Sequence, residues 1–143
     1  MAKCFAQMPD DFLNKISTLG DKTDEIVPRV LEAGGEVVLK KVKANLRAVI
    51  GKGTKYDSRA TGELVDALGV SGTRMDREGN YNVKVGFAEP RRDGESNAKL
   101  ANIIEYGKHG QPPRPFLKPA KSAAKSECVQ TMIDALQREV DGI

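Results

Sequence analysis

Apolar residues recur at spacings of three and four from Val27 onward. Val30, Leu31, Gly34, Val38, Val42, Leu46 and Val49 continue one stripe, while Lys40, Lys41, Lys43 and Arg47 fall mostly off it. That period predicts an amphipathic helix, the longest of the N-terminal half. Thr23 or Asp24 is placed to cap its start, with Pro28 in the first turn, where a missing N–H is harmless. The Gly34-Gly35 pair costs about 1 kcal/mol per glycine relative to alanine inside a helix, and a close helix crossing at that point would explain it. Upstream, Pro9, Asp10 and Asp11 suit the start of a short helical piece ended by Gly20. Residues 1–22 read as a loosely structured lead-in, and 23–143 as a single domain.

Beyond residue 50 the period changes. "GKGTKYDSRATG" reads as a loop and "GELVDALGV" as a short helix. A β-hairpin is predicted over about 67–87. Asp76 to Asn80 supply its turn, and Tyr81, Val83, Val85 and Phe87 alternate with Asn82, Lys84 and Gly86. After the polar loop "AEPRRDGESN", Ala98, Ala101, Ile104 and Leu100 mark one face of a helix stopped by Gly107. "QPPRPFLKPA" cannot be helical through its prolines; it is expected to be extended over 112–117 and to add an edge strand around Phe116. From Lys118 a last helix is marked by Ala120, Ala124, Val129, Met132, Ile133, Leu136 and Val140, with Pro119 in its first turn. The fold class is α+β: a small antiparallel sheet packed against a long N-terminal helix and a C-terminal helix.

A chain of 143 residues supports one hydrophobic core. No run approaches the ~18 apolar residues of a membrane span, and the N-terminus lacks the apolar core of a secretory signal, so a cytoplasmic product is expected. Cys4 and Cys128 stand far apart, outside any CxxC or Cys/His cluster, and suggest neither a zinc site nor a disulfide. The net charge of +3 is modest but uneven: Lys40 to Arg59 holds seven cations against Asp57. That excess could face phosphate, although such a run is more often the solvated side of a helix and its loop.

Catalytic signatures are missing. There is no GxGxxG after a strand, no phosphate-binding GxxxxGK[ST] and no HExxH, and neither cofactor nor metal is indicated. The single histidine, His109, lies in a glycine-flanked loop with no predicted support for a base. Glu105 differs from the other carboxylates, because it follows Ile103-Ile104 in a stretch that reads as partly buried. A buried carboxylate needs hydrogen-bond donors, and backbone amides or Arg114 are the simplest source.

One ordered set of pieces remains. "IIEYG" (Ile103 to Gly107), a short glycine-containing loop and "RPFLKPA" (Arg114 to Ala120) follow "TGELVDALGV" and the strand "YNVKVGF". This order resembles the tail-completion or head–tail joining family of tailed bacteriophages, the gene-product-10-like minor tail proteins, over roughly residues 25 to 140. Lys108 stands where members often carry threonine. In this reading Glu105, Tyr106, Gly107, Pro115, Phe116, Leu117 and Pro119 form a motif that sets the fold. The prolines pre-set an extended path that Phe116 and Leu117 anchor in the core.

The resemblance implies a non-enzymatic neck subunit, working as copies in a ring. Its partners would be the head connector and the tail-tube or tail-terminator proteins, with DNA only as passing cargo and no membrane. Virion localisation after assembly in the host cytoplasm follows from it. Candidate contact residues lie on polar loops: Lys52, Lys55, Arg59, Arg91, Arg92, Lys108 and His109. The rival readings are a tail terminator or connector-closing protein of the same junction, and a small nucleic-acid-binding protein using residues 40–59.

Overall fold

Helix α2 (Thr23–Val49) is the axis on which the other elements pack. The structure, a computed structural model, describes residues 10–50, 62–89 and 94–143. Helix α1 (Asp10–Asp21) runs almost directly into α2: Lys22 N–H donates to the Thr18 carbonyl, and Ile26 N–H to the Lys22 carbonyl. The sequence expected a fresh, capped start at Thr23 or Asp24, but neither side chain caps. Thr23 Oγ1 donates back to the Leu19 carbonyl, and Asp24 accepts a hydrogen bond from the Tyr81 hydroxyl. The preceding turn of helix already supplies acceptors, so a cap has little to satisfy. Pro28 consequently stands inside the helix, past its first turn.

The two glycines of α2 mark opposite packing partners. A Cβ on Gly34 would lie 2.7 Å from Met132 Cγ and 3.2 Å from Cys128 Sγ. A Cβ on Gly35 would lie 3.0 Å from Val70 Cγ1 and 3.1 Å from Val83 Cγ1. Missing side chains thus let α5 (Leu117–Asp141) and the hairpin approach α2 from two sides. Helix α5 runs antiparallel to α2: Gly34 meets Met132, Asn45 Nδ2 donates to the Phe116 carbonyl, and Arg29 forms a two-pronged ion pair with Glu139 at 2.7 and 2.9 Å.

The predicted hairpin forms as two antiparallel ladders. Strand β1 (Leu68–Val70) pairs with β4 (Val85–Phe87), Leu68 opposite Phe87. Strand β2 (Arg74–Met75) pairs with β3 (Tyr81–Asn82), Met75 opposite Tyr81. Three residues, 71–73, oppose two, 83–84, so the register slips by one at a bulge. Ser71 closes it, its N–H donating to the Lys84 carbonyl while its Oγ accepts from Lys84 N–H. At the tip, Asp76 Oδ1 accepts from the amides of Glu78 and Asn80, and Gly79 takes φ +85°. These bonds hold the Asp76 carboxyl below its usual range. The short helix α3 (Glu63–Asp66) ends earlier than the sequence suggests, because Leu68-Gly69-Val70 leave it to become β1.

The core gathers at the C-terminal end of α2, where Val42 and Leu46 meet Leu64, Val65, Leu68, Ala101, Ile104, Phe116 and Ala120. Helix α4 (Asn97–Tyr106) is capped by Ser96, whose Oγ accepts from Lys99 N–H. Asn97, not Ala98, turns inward on it and donates to the Ala88 carbonyl at 2.6 Å. The α5 stripe divides. Ala120 and Ala124 are buried against α2, whereas Val129, Ile133 and Leu136 stand 44, 54 and 43% exposed. Seven residues at uneven spacings wrap too far around the helix for α2 alone to cover.

Candidate functional site

The motif from Glu105 to Pro119 closes around one buried carboxylate. Glu105 is 3% exposed at the end of α4, and it faces the start of α5. Its Oε2 accepts from the amides of Phe116 (2.7 Å) and Leu117 (2.8 Å), and its Oε1 from Lys118 (3.1 Å). A helix start leaves several backbone donors without an intrahelical partner. Here Phe116, Leu117 and Lys118 are satisfied by Glu105, and the next residue, Pro119, has no N–H. Phe116 itself offers no side-chain cap, so a carboxylate from another helix takes that role. Burial pushes the Glu105 pKa upward, but the three amides and the Lys118 charge outweigh it and hold the carboxyl below its ordinary range.

The donors are backbone amides, one of the two sources read from the sequence. Arg114 serves the same junction differently: its N–H donates to the Ile104 carbonyl, and its Nη1 to the Val49 carbonyl. Residues 112–116 belong to no helix and pair with no strand, contrary to the expected edge strand, and Phe116 with φ −132° and ψ −28° already turns toward α5. The prolines supply no donors, and the amides that could pair with a strand are taken by Ile104 and Glu105. Phe116 is fully buried and meets Phe87 edge-to-face with centroids 6.4 Å apart. Leu117, expected to anchor beside it, is 37% exposed, because the helical turn that begins there carries it away from the core.

Gly107 turns the chain between these helices with φ +77°, and a Cβ there would lie 2.7 Å from the Gln111 carbonyl oxygen and 2.8 Å from Pro113 N. Tyr106, 61% exposed, takes Lys118 Nζ over its ring at 5.4 Å. Lys108 pairs with Gln111 across a tight turn, leaving Lys108 and His109 exposed at its tip. Pro115 and Pro119 are exposed as well. Lys52, Lys55, Arg59, Arg91 and Arg92 lie outside the described residues. On the basic face of α2, Lys40, Lys41 and Arg47 are exposed and Lys43 is half-buried.

Among the described residues, no group of three or more His, Cys, Asp or Glu side chains converges to hold a metal ion. No described helix is long and apolar enough to cross a membrane. The sequence reading missed two exposed apolar faces: Phe12, Leu13 and Ile16 on α1, and Val129, Ile133 and Leu136 on α5. The excess width of the α5 stripe was the available signal for the second.

No curated protein and no solved structure matches the chain. One family model does, over residues 10–107, with the description "Bacteriophage HK97-gp10, putative tail-component". The match takes in α1, α2, the hairpin and α4, and it stops at Gly107, where the Glu105-Tyr106-Gly107 step turns the chain toward α5. With about two thirds of its length covered by that model, the chain belongs to the HK97-gp10-like family of bacteriophage tail components.

Proposed function

We propose that this protein completes the phage tail and joins it to the head connector, as a non-enzymatic neck subunit acting in a ring of identical copies. The observation that carries the reading is the family match over residues 10–107. The geometry supports it in kind. The most elaborate polar constellation, around Glu105, uses its hydrogen bonds to hold α4 and α5 together and offers no reactive atom to solvent. Two helices meanwhile present apolar surface outward, as a subunit built for contact requires. A ring of identical copies needs one surface to meet a different surface on the next copy. The remaining partners are the head connector and the tail-tube or terminator proteins, with DNA as passing cargo. Lys52, Lys55, Arg59, Arg91, Arg92, Lys108 and His109 are proposed as contact residues toward them.

The test is electron microscopy of lysates from a phage lacking this gene. Filled heads beside separate, full-length tails, with joining restored by the supplied protein, are expected. Tails of uncontrolled length would assign a terminator role instead, and intact infectious particles would overturn the neck reading.

A further inference from the structure

We infer that the apolar face of α1 from one copy docks, in parallel, onto the exposed stripe of α5 on the next copy. This inference rests on the ring reading above and names its two surfaces. Phe12, Leu13 and Ile16 are 50, 46 and 50% exposed, and α1 buries none of its own residues. Val129, Ile133 and Leu136 form an apolar face of similar width on α5, turned away from α2.

The balance of charge favours one orientation. At about 100° per residue, Lys15 and Lys22 line one edge of the α1 face with Asp11 behind them, farther from the apolar side chains, and Asp10 and Asp21 lie on the other. On α5, Lys121 and Lys125 border the corresponding first edge of the stripe, where the one acid, Glu139, is already paired with Arg29, while Glu127, Asp134 and Asp141 border the second. All of these side chains except Lys22's are helical and all but Glu139's are exposed. When two helices face each other in parallel, unlike edges meet; antiparallel, like edges meet. Parallel docking therefore sets Lys15 and Lys22 beside Asp134 and Asp141, whose seven-residue spacings agree, and Asp10 beside Lys125. Antiparallel docking would set lysine on lysine and aspartate on aspartate.

A chain cannot make this contact with itself. Its α1 runs on into α2, and α2 runs antiparallel to α5. The partner is thus a second copy, and the contact is heterologous, face to different face, which propagates around a ring. Six half-exposed side chains offer on the order of 500 Å² of apolar surface, well short of the ~1,600 Å² of a stable interface. The contact alone is weak, and it holds where copies are already side by side.

The experiment is disulfide trapping in assembled phage. Two full-length chains, each with Cys4→Ser and Cys128→Ser, carry Ile16→Cys in one and Ile133→Cys in the other. They are supplied together to the deletion phage, and the purified particles are oxidised. The mixed dimer is expected as the dominant product, with same-position dimers near background. Lys15→Asp with Lys22→Asp should abolish it, and adding Asp134→Lys with Asp141→Lys should restore it. Dominant same-position dimers, products containing another phage protein, or no product from particles that contain the chain would each overturn the contact while leaving the neck reading standing. Absence of the chain from purified particles would overturn the neck reading; oxidation of the purified chains mixed at high concentration then decides the contact alone.

Discussion

Replacing Glu105 by glutamine removes a charge from the junction of α4 and α5 while keeping the side chain's shape. The glutamine oxygen, placed where Oε2 stands, can still accept from Phe116 and Leu117, but its NH₂ then faces the Lys118 amide, donor against donor. Hydrogen bonds to a charged group contribute about 1.5–3 kcal/mol each against 0.5–1.5 for neutral ones, and a buried amide left unmet costs about 1–3 kcal/mol. The sum for this site, 3% exposed, is a loss of roughly 2–4 kcal/mol. With a urea dependence on the order of 2 kcal/mol per M, the unfolding midpoint should fall by about 1–2 M. Urea unfolding followed by far-ultraviolet circular dichroism reads this directly. The pH dependence gives a second arm. The folded-state pKa lies below the ordinary value of 4.5, so the carboxylate's stabilisation is present above that pH and is lost as the pH falls through the folded pKa. The gap between parent and Glu105→Gln should therefore narrow in acid. A variant that unfolds at the parent's midpoint near neutral pH, or a gap that stays constant into acid, would refute the assignment of Glu105 as the cap of α5.

Gly107→Ala should cost about 3 kcal/mol or more, because a left-handed φ and a clash with the Gln111 and Pro113 backbone act together; thermal unfolding should show a large drop in Tm or no soluble protein. Gly34→Val should cost about 2 kcal/mol despite valine's better helix propensity, since Met132 Cγ already lies 2.7 Å from the added Cβ; calorimetry checks it, and a neutral result would deny the close α2–α5 crossing. The Tyr81 hydroxyl, which donates to Asp24, should ionise above the usual 10.0, and Asp24→Asn should bring it back down; titration of the Tyr81 ring signal by nuclear magnetic resonance reads both.

Periodicity alone placed α2, the hairpin and α5, because each alternates apolar and polar residues at its own period over enough length to be unambiguous. Asp76 to Asn80 announced the hairpin turn, since Asp, Gly and Asn there satisfy the tight backbone within five residues. The bulge was not legible: a one-residue slip depends on which partner each amide finds, and neither strand carries that information by itself. Nor was the path of residues 112–117 legible, since the extended run expected there gives way at Phe116 and Leu117 already belongs to α5. The prolines forbade helix, but only the folded arrangement gives the Phe116 and Leu117 amides to Glu105 and leaves none for an edge strand.

Local sequence determined what could be read over a few turns: helix periods, turn chemistry, the glycine pair that demands a close neighbour, and the lack of a catalytic signature. Tertiary structure alone decided which neighbour each feature meets. It put Met132 over Gly34 and Val70 and Val83 over Gly35, aimed Glu105 at the first amides of α5, and left the outer half of the α5 stripe uncovered. The reason is physical: a period reports that a face is apolar, whereas its burial depends on the area a distant element brings to it.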